Sequence, residues 1–233
     1  MRALFPDAAE DVDPAVLYER SRPPHDDRPW VLANMVTSVD GSATAGDVSG
    51  GLSGPGDQRV FGAIRAFADV IVVGVGTVVA ESYGPVRGPD PAPIAVVTRS
   101  LDLDWDSRFF TEATARPLLL TCEASDPADR ARAAAVADVI VAGGAGVDLP
   151  AAFAELRRRG HRVALCEGGP TLLAQVISSG LLDEFCLTLA PLVIAGAGIR
   201  ILNGPPLTEP LRLPLASVLE EDGSLFLRYV RSG

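Results

Sequence analysis

"VALCEGGPTLLAQVISSGLLDEFCLTL", residues 163–189, decides how the rest of the chain is read. Val163–Cys166 is a short apolar run of the length a buried strand needs. It ends in an acid, Glu167, and the backbone then crosses Gly168, Gly169 and Pro170. Residues 170–179 have the spacing of an amphipathic helix, with proline at the first helical position, where a missing N–H is no loss. A second apolar run starts after Asp183. Strand, glycine turn, helix and strand in that order predict a parallel crossover unit. Paired glycines ahead of a helix also suit an anion, because unpaired N–H groups and the positive end of the helix dipole converge there. Thr171 adds a hydroxyl. Glu167, one residue upstream of that turn, therefore needs a partner of a different kind.

The alternation extends outward in both directions. "WVLANMVTSVDG" (30–41) predicts a strand closed by a turn at Asp40-Gly41. "GDVSGGLSGPGDQ" (46–58) is a glycine-rich loop, and Pro55 stands near the start of a helix that runs to about Phe67. Strands are predicted at 70–73, 94–98, 118–121, 138–141 and 163–166, and helices at 126–137, 149–159 and 170–179. After Asp183 the pattern changes to strands alone, "EFCLTLAPL", "LRLPLASVLEED" and "SLFLRYV". The last two are joined through Asp222-Gly223, a hairpin signal. The expected fold class is α/β, a single domain with a mixed, mostly parallel sheet, helices on both faces and an antiparallel C-terminal hairpin at its edge. Residues 1–29, rich in proline, aspartate and arginine, form an N-terminal arm; 30–233 form the domain.

Composition removes several classes of function. Among 233 residues, 48% are hydrophobic, and the formal net charge is −10. An acidic chain without basic stripes is not expected to bind nucleic acid. No apolar run approaches the roughly 20 residues of a membrane span, and the N-terminus lacks the basic-then-apolar pattern of a secretory signal. Cys122, Cys166 and Cys186 are widely spaced and read as reduced core residues. His25 and His161 complete no metal site. A cytoplasmic protein without a metal is expected.

In an open α/β sheet, ligands gather beyond the carboxyl ends of the strands. Three such ends carry unusual residues: Thr37–Gly41, Gly74–Thr77 and Glu167–Thr171. "GVGTVV" (74–79) lacks the third glycine of a dinucleotide fingerprint. It places Thr77 at a predicted helix N-cap, where its hydroxyl can bond a phosphate oxygen. Asp40 either shapes its own turn or delivers a proton, and the sequence leaves both uses open.

Taken together, "NMVTSVDGSATAG", "SGGLSGPGDQRVFGAIRAFADVIVVGVGTVVAE" and "VALCEGGPTLLAQVISSGLLDEFCLTLAPLVIAG" resemble the reductase domain of bifunctional riboflavin-biosynthesis proteins and its stand-alone relatives, which have a dihydrofolate-reductase-like fold. The resemblance runs from about Trp30 to the C-terminus. No H-x-E…P-C-x-x-C deaminase pattern occurs, so a reductase alone is expected. The resemblance implies NADPH as hydride donor, a pyrimidine with a ribosylamino phosphate arm as substrate, a homodimer, and a cis peptide at Gly168–Gly169. It places Thr77, Glu81, Gly168, Gly169, Pro170, Thr171, Leu172 and Gln175 at the cofactor. Arg99, just after the predicted strand 94–98, is a candidate for the adenosine 2′-phosphate of that cofactor. Ser49, Arg65 and Glu167 fall at the substrate, Arg65 toward the phosphate and Glu167 toward the amino-pyrimidine edge. Asp40 and Glu81 are the candidate proton donors. Competing readings are a dihydrofolate or other pterin reductase on the same fold, a non-catalytic nucleotide-binding paralogue, and an enzyme using another cofactor such as a deazaflavin. The stretch "AESYGP" (80–85) departs from the acidic pair and proline usual in the family, as does the loop at Gly50-Gly51, where an aromatic is usual. Both departures bear on the substrate.

Overall fold

Aliphatic runs end wherever glycine, aspartate or proline interrupts them, and the elements follow that punctuation. The computed structural model describes residues 1–231 apart from 47, 82, 85 and 87–90, so part of the divergent stretch 80–85 lies outside the described residues. In chain order the elements are β1 (Arg2–Phe5), α1 (Pro14–Tyr18), β2 (Trp30–Ser38), α2 (Pro55–Arg65), β3 (Val70–Gly74), α3 (Val75–Ala80), β4 (Ile94–Val97), α4 (Arg108–Thr111) and β5 (Leu118–Thr121). They continue with α5 (Pro127–Val136), β6 (Asp138–Val141), α6 (Leu149–Arg158), β7 (Val163–Cys166), α7 (Pro170–Ser178), β8 (Glu184–Ala190), β9 (Leu215–Glu221) and β10 (Ser224–Val230). Aspartates at 13, 126 and 148 cap α1, α5 and α6 by accepting from first-turn N–H groups, and proline opens α1, α2, α5 and α7.

The chain groups into two compact units. The first holds Met1–Arg22, Val31–Phe67 and the chain from Leu165 onward; the second holds Pro23–Trp30 and Ala68–Ala164. In the first unit the strands run in the order β1-β9-β10-β8-β2. β2 and β8 are parallel, with Ala33 opposite Phe185 and Ser38 opposite Ala190. β8 and β10 are antiparallel, as are β10 and β9, which form the expected hairpin. Its turn residues Asp222 and Gly223 both have positive φ, the geometry that favours an Asp-Gly pair. Val31, Leu32, Ile64, Leu165, Leu173, Val176 and Phe226 are its buried core. In the second unit β3-β4-β5-β6 are all parallel. Val70–Val73 are wholly buried, which is why β3 reads as an unbroken apolar run rather than an alternating one.

The sequence expectation needs three corrections. The hairpin does not end the sheet of the first unit, because β1 pairs antiparallel with β9, Arg2 opposite Glu220. Four residues before a proline are too few to show a period. Ser49–Leu52, expected as loop, is a 3-10 turn, and α4 lies where no helix was expected. Within the first unit, Arg22 is bound to β8. Arg22, 3% exposed, gives Glu184 two hydrogen bonds at 2.8 and 2.9 Å, and Arg228 adds a third at 2.6 Å. Burial pushes the Glu184 carboxyl up, and the two guanidiniums outweigh it and hold the group below the usual carboxylate range. All three cysteines are free and buried, as expected.

Candidate active site

β7 delivers Glu167 and α7 begins three residues later. Gly169 is the N-cap with extended backbone, and Pro170 is the first helical residue, as the sequence implies. The Gly168–Gly169 peptide is cis. Gly168 has φ +91°, and a Cβ there would stand 3.2 Å from Met35 Sδ on β2. The turn therefore admits glycine on two separate grounds. Past it, first-turn N–H groups of α7 have no acceptor within the helix. Thr171 and Gln175 are exposed. Leu172 is 5% exposed, so its side chain belongs to the core and only its backbone can serve a ligand. A periodic apolar position on a helix cannot do both.

Glu167 faces α2. Arg65 donates from Nε to Oε1 at 2.6 Å and from Nη2 to Oε2 at 2.7 Å, a bidentate pair. The Glu167 side chain is 4% exposed and that of Arg65 25%. The guanidinium lies over the ring of Phe61, 4.2 Å from its centroid. Phe61 did not emerge from the sequence reading. Its signal was available, since residues four apart share a helix face. The N-terminal end of α2 is pinned too. Buried Asp57 accepts from Ser53 Oγ at 2.5 Å and from Thr188 Oγ1 at 2.6 Å, which fixes the turn that carries Ser49. Ser49 opens that 3-10 turn and is half-buried.

Asp40 is exposed and fully engaged. It accepts from Ser38 Oγ at 2.6 Å, Ala195 N at 2.6 Å and Ile194 N at 3.1 Å. The Ser38 hydroxyl first, then the two amides, hold its carboxyl down at about 2. An acid so strong is ionised at neutral pH, and its contacts are those of a residue that fastens one loop to another. In the second unit, α3 starts earlier than expected. Gly74 takes the cap and Thr77 is the third helical residue instead of the N-cap. Glu81 closes the same helix, its N–H bonded to Thr77 O. Arg99 is exposed, just past β4. Among the described residues no cluster of three or more His, Cys, Asp or Glu could hold a metal ion, and no helix is long and apolar enough to cross a membrane.

The chain as a whole is similar to proteins of known kind. The sequence model of the RibD C-terminal domain family matches residues 29–225. The chain belongs to that family. A 2,5-diamino-6-ribosylamino-4(3H)-pyrimidinone 5′-phosphate reductase of Methanothermobacter thermautotrophicus is 30% identical over 216 residues, covering 88% of this chain and 100% of the relative. A reductase of the same name from Archaeoglobus fulgidus is 33% identical over 191 residues, 72% of this chain and 83% of the relative. Among solved structures, a pyrimidine reductase-like protein from Corynebacterium diphtheriae superposes with a TM-score of 0.79 at 28% identity, over 94% of this chain and 98% of that one. Dihydrofolate reductase from Enterococcus faecalis superposes at 0.50 with 13% identity, over 88% of this chain and 97% of that one, a likeness of fold alone. The RibD-type resemblance and the dihydrofolate-reductase-like α/β fold expected from the sequence agree with these matches, and the oxidoreductase class agrees with the relatives' names.

Proposed function

We propose that this RibD-family chain is an NADPH-dependent reductase of 2,5-diamino-6-ribosylamino-4(3H)-pyrimidinone 5′-phosphate, converting its ribosyl arm to a ribityl arm. One observation carries the reading: Glu167, nearly buried, is satisfied by two parallel N–H donors. A 2-amino-4(3H)-pyrimidinone presents the same pattern from its ring N3–H and 2-amino group. A carboxylate that accepts both at once selects that edge, because any analogue lacking a donor leaves a buried lone pair unmet.

The cofactor end fits an anion. The glycine turn brings backbone close, the first turn of α7 offers N–H groups, and Thr171 and Gln175 are exposed beside them. Gly168, Gly169, Pro170, Thr171, Leu172 and Gln175 would hold the cofactor's phosphates, Leu172 by its backbone. Thr77 and Glu81 are assigned to the same cofactor by the family resemblance, and Arg99, exposed just past β4, is the candidate for its adenosine 2′-phosphate. NADPH supplies a hydride when bound. The chain's own work is to orient the substrate and to exclude water. Ser49 and Arg65 serve the phosphate arm, Arg65 through its planar fork of donors. Asp40, ionised and engaged, is left out of proton delivery, and Glu81 stays the candidate. The reading carries with it a cytoplasmic homodimer, for which Leu192, Val193 and Ile199, exposed after β8, offer apolar surface.

Glu167→Gln tests the reading. The amide keeps one acceptor and turns the other position into a donor facing a donor. With the phosphorylated pyrimidinone, kcat/KM should fall by about 100-fold, on the order of 3 kcal/mol for a charged hydrogen-bond acceptor. An unchanged kcat/KM would remove Glu167 from the substrate site.

A further inference from the structure

The first turn of α2 carries a buried acid that the proposed function does not use. Asp57, 9% exposed, is the third residue of the helix. An acid there ordinarily answers the positive end of the helix dipole. That accounts for its presence but not for its partners. Oδ2 accepts from Ser53 Oγ at 2.5 Å and Oδ1 from Thr188 Oγ1 at 2.6 Å. Ser53 closes the 3-10 turn that Ser49 opens, and Thr188 stands on β8, 131 residues along the chain. We propose that Asp57 is a positioning residue for the phosphate-arm contacts, joining the turn of Ser49 and the helix of Arg65 to the sheet as one piece. The inference rests on the proposed function, which gives Ser49 and Arg65 to that arm, and adds the side chain that sets their placement.

The geometry concentrates these contacts at one place in the sheet. Thr188 lies opposite Phe226 in the pairing of β8 with β10. Gly56, beside Asp57, brings the same helical turn down on that spot, since a Cβ there would stand 3.1 Å from the Phe226 ring and 2.7 Å from Glu221 Oε2. The N-cap of α2 is Gly54, which has no side chain to secure the turn, so Asp57 does so from inside the helix. Arg65 follows eight residues later, about 12 Å along the same helix at 1.5 Å per residue. A helix of two turns is stiff, and a shift of its first turn is passed to Arg65. Removing the acid leaves two hydroxyls unmet, and that of Thr188, 2% exposed, is shut away from water. Neither partner of Asp57 belongs to the glycine turn or to α7, so the effect falls on the substrate and not on the cofactor.

Steady-state kinetics with the phosphorylated pyrimidinone and NADPH test the role in wild type, Asp57→Ala, Asp57→Asn and Ser53→Ala, and circular dichroism reports whether each variant is folded. Asp57→Ala should raise KM for the pyrimidinone about tenfold while KM for NADPH stays within about twofold of wild type. A residue that merely stabilised the fold would lower kcat through the active fraction and move neither KM. The asparagine offers one acceptor and one donor, and a hydroxyl can take either part, so Asp57→Asn should restore most of the pyrimidinone KM. Ser53→Ala frees the turn alone, at a half-buried position, and should raise the same KM about threefold; it decides the matter if Asp57→Ala does not fold. If the folded variants keep the wild-type KM for the pyrimidinone, or if KM for NADPH rises in parallel, the positioning role is overturned and the proposed function stands. If wild type reduces no pyrimidinone, the proposed function fails and the positioning role with it.

Discussion

Glu167 and Asp40 are carboxylates that follow the ends of parallel-paired or crossover strands, and their surroundings give them opposite uses. Glu167 is nearly buried and meets Arg65 in a bidentate pair; Asp40 is exposed and accepts from Ser38, Ile194 and Ala195. The second arrangement is a fastening, with a pH dependence of definite sign. A carboxyl held at about 2, below its ordinary 3.8, contributes stability above the ordinary value, and that contribution fades as pH falls through about 2. Asp40→Asn should therefore be less stable than wild type at pH 5 to 7, with the two converging at about pH 2. Paired acid titrations followed by circular dichroism check this, and a constant offset down to pH 2 would show that Asp40 contributes nothing through its charge. At this scale the sequence was informative about identity and silent about pairing. Glu167 stood out because an acid interrupts a strand-to-glycine turn. Its bond to Arg65, 102 residues away, could not be read, since no spacing encodes a tertiary contact.

Two elements carry the greatest structural demands. The turn between β7 and α7 needs φ +91° at Gly168 and leaves a Cβ only 3.2 Å from Met35 Sδ. Gly168→Ala should cost about 1–2 kcal/mol from the backbone alone, with crowding added. Thermal melts of Gly168→Ala in wild type and in a Met35→Ala background separate the two: the second background relieves crowding and leaves the backbone cost. The other element is the anchor of Arg22 on β8. Glu184→Gln leaves Arg22 and Arg228 facing each other without an acid, a change that typically costs about 3–5 kcal/mol. In a chain of this length that is a Tm lower by roughly 10 °C, and a fall of under 2 °C would mean that the cluster is dispensable. Elements were legible in proportion to their length and regularity. β3 and α7 announce themselves by unbroken burial and by a proline-led apolar stripe. β1, with four residues, and the 3-10 turn at Ser49–Leu52 carry no period at all. Thr77 was misplaced by three positions because Gly74, not the threonine, takes the cap of α3.

For the molecule as a whole, composition set the limits and order set the fold. A net charge of −10 with no basic stripe turns attention to small-molecule chemistry, and the change from alternating elements to strands alone after Asp183 marks where β8, β9 and β10 form. Membership in the RibD C-terminal domain family accords with both. Under the proposed function Glu167 reads the pyrimidine edge while Arg65 and Ser49 serve the phosphate, a division that no pattern in the chain itself spells out. The most direct measurement is the loss of NADPH absorbance at the nicotinamide band, with purified protein and the diamino-ribosylamino-pyrimidinone phosphate. The account predicts oxidation at roughly 1 per second or faster, dependent on Glu167. A folded wild-type protein that leaves NADPH untouched in the presence of that compound would contradict it.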